Sequence, residues 1–250
     1  MIAVHHLLAA TILVPSFALA ETATDWIKRS EENTQGKSLQ AQVQMDIDRG
    51  GGSARTLKFK LWTEGRDKAV VKIIEPTKDR DSGNLRLQIN LWQYLANVDR
   101  VIKVPPSLML QSWMGSDFTN DDLVKSSSLT RDYTHKLLGH QKQGADDLVK
   151  IECSPKPDAP IVWGKIVETI RTKDAAPIRR EFYSEKGELL KTMEGSLIKN
   201  FGQHSIPTRV TMKTLKKPGQ STTMTYQDVK YDSSISGAVF QQDFLRKPLK

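Results

Sequence analysis

A period-two alternation of apolar and polar residues recurs along most of the chain and constrains its fold more than any other feature. Leu39, Ala41, Val43, Met45 and Ile47 alternate with polar residues and run into Arg49-Gly50-Gly51-Gly52. An extended chain sends successive side chains to opposite faces, so the pattern predicts a strand with one buried face that ends in a glycine turn. The return run from Arg55 to Trp62 sets Leu57, Phe59 and Leu61 against Thr56, Lys58 and Lys60, which completes an antiparallel hairpin. The same signature marks residues 67–75, 84–95, 98–104, 148–153, 162–172, 177–183, 189–200, 208–215 and 222–231. Breaks such as Glu64-Gly65, Glu75-Pro76, Ser82-Gly83 and Lys217-Pro218-Gly219 separate these runs. Long helical patterns do not alternate with the strands. That argues against a parallel nucleotide-binding sheet and for a sandwich or barrel of meander topology.

Helices are few and short. Thr24 to Gln35 places Trp26 and Ile27 in a helix-compatible order and stops at Gly36, a residue suited to a left-handed C-terminal cap. Between Pro105 and Tyr133 the β pattern lapses and the chain becomes Met-rich, aromatic and then polar. Within it Thr119-Asn120-Asp121-Asp122 reads as a capping box that opens a short helix, so this segment is expected to form a lid or plug over the sheet. The final stretch, 236–250, is expected to pack Val239, Phe240, Phe244 and Leu245 back on the body.

The ends and the charge bear on where the chain works. Residues 2–20 are apolar or small almost throughout, and Ala18-Leu19-Ala20 supplies the small-x-small pattern of a signal-peptidase site before Glu21. The reading is a cleavable signal peptide at 1–20, one domain at 21–250 of roughly 230 residues, and a periplasmic location. The apolar run from Leu7 to Leu19 is too short for a permanent membrane helix, and no Cys stands at the cleavage site to carry a lipid. The formal net charge is +8, which suits anionic head groups, a peripheral membrane contact or acidic polymers. Nucleic acid is not expected as a partner, because the Lys and Arg are scattered and no recognition-helix or zinc pattern accompanies them.

Catalysis finds no foothold. His135, His140 and His204 stand in no nucleophile-and-base arrangement, there is no Gly-x-Ser-x-Gly elbow, and Cys153 sits in an alternating strand as a buried thiol. No His/Cys pair has zinc spacing, and Asp121-Asp122 and Asp146-Asp147 lack a calcium loop's glycine and spacing. Gly50-Gly51-Gly52 precedes a strand rather than a helix, so it is a turn rather than an anion cradle. No catalytic residue, metal or cofactor is therefore assigned, and the chain is not read as an enzyme. What stands out is apolar: Trp92, Tyr94, Leu95, Leu108, Met109, Leu110, Trp113, Met114 and Phe118. Flexible, polarizable Met among aromatics builds either a core or a cavity that adapts to acyl chains.

The stretch Trp113-Met114-Gly115-Ser116-Asp117-Phe118-Thr119-Asn120-Asp121-Asp122-Leu123 resembles the Met-Gly-Ser-Asp-Phe-(Ser/Thr)-x-x-Asp-Leu signature of the LolA-like family of outer-membrane lipoprotein-sorting proteins. Trp92-Gln93-Tyr94-Leu95 followed by Asp99-Arg100-Val101-Ile102-Lys103 is similar to the family's aromatic strand running into a basic one. Arg180 to Leu189, Thr222 to Tyr231 and Val239-Phe240 with Leu245 extend the likeness in order along the chain. The resemblance implies a mainly β fold: a half-open antiparallel β-barrel with a few short helices closing its mouth over an apolar cavity. It also implies that Trp92, Tyr94, Leu95, Leu108, Met109, Trp113, Met114 and Phe118 line that cavity. Gly115, Ser116 and Asp117 would shape the signature loop, through a tight turn and hydrogen bonds to nearby backbone.

Two functions follow. One is a non-enzymatic carrier that shields a lipid or lipoprotein acyl chain for outer-membrane sorting; the resemblance adds an inner-membrane transporter of the efflux type as a partner. At ~0.8 kcal/mol per buried methylene, a long chain supplies on the order of ten kcal/mol before ordering costs. The other is a basic adaptor that docks a membrane transporter complex without holding ligand.

Overall fold

A computed structural model describes residues 21–120, 122, 128–157, 159 and 163–249. The expected signal peptide at 1–20 lies outside the described residues, as does most of the helix expected after Thr119. Helix α1 (Ala23–Gln35) opens on a capping box: Asp25 N–H donates to Thr22 Oγ1 at 3.2 Å, and Thr22 N–H donates to Asp25 Oδ2 at 3.0 Å. It ends at Gly36, whose φ of +58° only glycine adopts cheaply; a Cβ there would also lie 2.7 Å from the Tyr231 ring.

Alternation then builds β1 (Ser38–Asp48), β2 (Ala54–Glu64), β3 (Lys68–Glu75), β4 (Gly83–Leu87), β5 (Asn90–Leu95) and β6 (Arg100–Lys103). After a long connection come helix α2 (Leu129–Asp132), β7 (Tyr133–Gln143), β8 (Asp146–Pro155), β9 (Lys165–Arg171) and β10 (Pro177–Tyr183). The chain continues through β11 (Leu189–Phe201), β12 (His204–Thr214) and β13 (Ser221–Tyr231) to helix α3 (Gln242–Arg246). All thirteen strands join one antiparallel sheet in the order β6-β5-β4-β3-β2-β1-β13-β12-β11-β10-β9-β8-β7. Sequence neighbours pair everywhere except between β6 and β7, and the pairing of β1 with β13 closes the two ends of the meander on each other. The sheet stays open between β6 and β7, and the connection between those two strands carries the signature loop. This is the half-open barrel with short helices that the resemblance implies, and it falls within the sandwich-or-barrel class that the alternation predicts.

Two of the expected boundaries change. Residues 84–95 form a hairpin rather than one strand, turning at Gln88 (φ +53°) and Ile89. The strand β7 was absent from the alternation pattern, because only Tyr133 in it is fully buried.

The sheet has two cores. Val43, Met45, Leu57, Phe59, Val71, Val149, Ile151 and Ile170 point inward with Trp26 and Ile27 of α1. On the opposite face, Val70, Leu85 and Tyr94 lie beneath Phe240 and Leu245 of the C-terminal segment, with Trp62, Trp92, Val239 and Phe244 around them. Adjacent Val70 and Val71 serve one core each, as extended chain requires. Lys72 is fully buried; its Nζ donates to the carbonyl oxygens of Leu245 and Lys247 and lies 5.4 Å from the Tyr94 ring centre. Burial lowers its pKa, against the pull of Asp81. Lys72→Met leaves both carbonyls without their donor and is expected to cost about 2 kcal/mol, with faster amide hydrogen exchange confined to 235–247. Unchanged exchange there would show that apolar contacts alone hold the tail.

Candidate functional site

The inner face holds a pocket of about 270 Å³ between the helices and one half of the sheet. Helix α1 roofs it with Ile27, Ser30, Glu31 and Thr34, and Leu129 of α2 closes one side. The wall is made by Met193, Ile206, Val210, Met224 and Tyr226 on β11 to β13, with Phe118 of the signature segment entering from the loop. The roof is fastened by one carboxylate: Glu31 Oε1 accepts from Leu129 N–H at 2.6 Å, and Oε2 accepts from Thr130 Oγ1 at 2.6 Å and Arg66 Nη1 at 2.9 Å. That ties α1 to α2 over the pocket. The polar end of the pocket is Glu168 on β9 and Arg180 on β10, which oppose each other across the two strands.

The signature loop is a clasp. Ser116 Oγ donates to Trp113 O at 2.7 Å and accepts from Phe118 N–H at 3.1 Å. Asp117 reaches across the barrel: its N–H donates to Thr222 Oγ1 at 2.9 Å, whose hydroxyl donates back to Asp117 Oδ2 at 2.8 Å, and Lys191 Nζ donates to its carbonyl at 2.8 Å. Gly115 has a φ of +76°, and a Cβ there would lie 2.3 Å from Arg49 Nη2. A side chain would have to displace that guanidinium.

The residues singled out in the sequence are spread over several places. Phe118 lines the pocket. Trp113 is 1% exposed in the inner core, edge-on to Phe59 at 5.7 Å, with its Nε1–H donated to Asn84 Oδ1 at 3.0 Å; Met114 packs beside that core. Trp92 and Tyr94 belong to the outer core under the C-terminal segment, Leu95 is half-buried opposite Arg100, Met109 is half-buried, and Leu108 is exposed. The pocket wall on β11 to β13 and the Glu168–Arg180 pair escaped the sequence reading. The signal for the pair was present in Ile166-Val167-Glu168-Thr169-Ile170, a carboxylate inside a run that is otherwise nearly all apolar.

Two of the three histidines among the described residues are engaged structurally, and His140 is exposed on β7. His135 bonds Thr24 Oγ1 at 3.0 Å and the Leu129 carbonyl at 2.9 Å; His204 bonds the Asn33 carbonyl and Asp232 Oδ2, both at 2.9 Å. Cys153 is fully buried, and burial with nearby Glu168 pushes its thiol pKa up, away from nucleophilic use. Among the described residues no three His, Cys, Asp or Glu side chains gather as a metal site requires.

An open antiparallel barrel, helices across its mouth and an apolar pocket beneath them define a LolA-like fold, and solved structures share it. A LolA superfamily protein from Nitrosomonas europaea is 23% identical and superposes with a TM-score of 0.74, over 90% of this chain and 100% of that one. A protein domain from Vibrio parahaemolyticus named for outer membrane lipoprotein sorting is 20% identical, with a TM-score of 0.77 over 90% and 100%. A DUF1329 family protein from Desulfovibrio piger is 21% identical, with a TM-score of 0.82 over 89% and 97%. Residues 65–247 match the model of a family whose description is "uncharacterized protein", and the chain belongs to that family. No curated protein sequence matches it.

Proposed function

We propose that this chain is a non-enzymatic periplasmic carrier that shields the acyl chain of a lipid or lipoprotein during transfer toward the outer membrane. The observation that carries the reading is the pocket under α1, whose wall of Ile206, Val210, Met193, Met224 and Tyr226 offers apolar surface. If a methylene takes roughly the ~30 Å³ of a liquid water, about nine of them fill the pocket. At ~0.8 kcal/mol each they supply about 7 kcal/mol before ordering costs, enough for reversible holding and short of irreversible capture. A carrier that must release its cargo needs that balance. The apolar leader read at 2–20 and the structural likeness to a domain named for lipoprotein sorting support the periplasmic setting. The transporter partner suggested by the resemblance gains no support from the comparisons and forms no part of the proposal.

Protein purified from its host without detergent is expected to release acyl lipid on solvent extraction, seen by mass spectrometry at near-stoichiometric amounts. Protein free of lipid that also fails to take up an added fatty probe would overturn the reading. The net charge of +8 favours the second reading, a ligand-free basic adaptor, and salt decides between them. Adaptor binding weakens with ionic strength, whereas acyl burial does not.

A further inference from the structure

One end of the pocket is charged, and its charges are not fully satisfied. Glu168 is 1% exposed and lines the pocket; its Oε2 accepts from Arg180 Nε at 2.5 Å, while its Oε1 has no hydrogen-bond partner among the described residues. Proteins rarely leave a buried carboxylate oxygen without a donor, and each such case calls for an explanation. The other charged side chains of the pocket are already engaged: Glu31 by Thr130, Leu129 and Arg66, and Arg179 by Glu194 and Glu181. The open valence belongs to Glu168. Arg180, paired with Glu168 across the two strands, keeps a quarter of its side chain exposed and also lines the pocket, so a donor residue and an acceptor residue sit side by side there.

Acceptor and donor side by side match a head group that itself carries both. We propose that Glu168 and Arg180 form the head-group end of the acyl pocket and select an uncharged head with an N–H or O–H beside a carbonyl, as in a fatty amide. The reasoning is one of charge balance. The pair sums to zero, so an anionic head would face Glu168 in a site of low polarity without a free counter-charge, and a head lacking a donor would leave Oε1 unpaired. Burial raises the pKa of Glu168 while Arg180 draws it back, which agrees with a carboxylate short of partners. The proposal rests on the acyl-carrier reading and adds to it what the pocket recognises.

The test uses three ligands of one chain length, decanamide, methyl decanoate and decanoate, titrated into delipidated full-length mature protein at neutral pH. One hydrogen bond from the head to Glu168 is expected to make decanamide about tenfold tighter than the methyl ester, with decanoate the weakest. Equal affinities, or decanoate tightest, would overturn the head-group proposal and leave the carrier standing. Failure of all three to bind would overturn the carrier reading and this one with it. Glu168→Gln removes the negative charge and leaves Arg180 uncompensated, so the order should invert toward decanoate. If that variant does not fold, the series on the native protein decides alone.

Discussion

Trp113→Ala is expected to lower the free energy of unfolding by about 4 kcal/mol, the range seen when a fully buried tryptophan is truncated. Trp113 is 1% exposed, presents its edge to Phe59 of β2 and gives its indole N–H to Asn84 of β4. It therefore fills part of the inner core between β2 and β4. Truncation opens a cavity and leaves Asn84 Oδ1 unpaired, on a residue whose Nδ2 already has no partner among the described residues. Trp113→Phe keeps most of the apolar volume and loses the hydrogen bond, so its cost should be nearer 1–2 kcal/mol. Urea denaturation followed by far-UV circular dichroism measures both. If the alanine variant came within 1 kcal/mol of the parent, the loop would be a lid resting on the barrel rather than part of its core.

That expectation shows what the sequence could and could not reveal. Strand positions were legible because burial of one face imposes period two, so Leu39 to Ile47 announced β1 and its pairing with Leu57, Phe59 and Leu61. The pattern failed where that cause is missing. Strand β7 lies at the sheet's edge with most side chains in solvent, so nothing forced alternation on it. The turn at Gln88-Ile89 carries neither glycine nor proline, and Ile89, 84% exposed, looks in sequence like the continuation of a strand. The candidate site was less legible still. Aromatic and Met residues cluster in sequence between Trp92 and Phe118, but the barrel distributes them between an inner core, an outer core and the pocket rim. The wall of the pocket comes from β11 to β13, a hundred residues further on, where each strand contributes an ordinary alternating face. A pocket is a place where such faces fail to meet, and no local pattern records that. Glu168 and Arg180 are brought opposite one another only by the register of β9 on β10.

Val210→Trp is expected to weaken binding of a decyl-chain ligand more than a hundredfold while leaving the barrel folded. Val210 sits on β12, half-buried, and faces the pocket from the wall opposite the helices. An indole grown from that position enters space otherwise available to ligand rather than a packed core. Displacing roughly four of the nine methylenes the pocket can hold removes ~3 kcal/mol of apolar burial. Stability should change little or rise slightly, because the new ring covers Met193 and Met224 where they are otherwise open to the pocket. The contrast with Trp113→Ala is the informative part: one substitution strikes stability inside the clasp, the other strikes occupancy inside the pocket. The measurement is isothermal titration with decanamide beside a thermal melt of the same sample. Undiminished affinity in a folded Val210→Trp protein would place the acyl chain outside this pocket, and a ligand site elsewhere on the barrel would then have to carry the function.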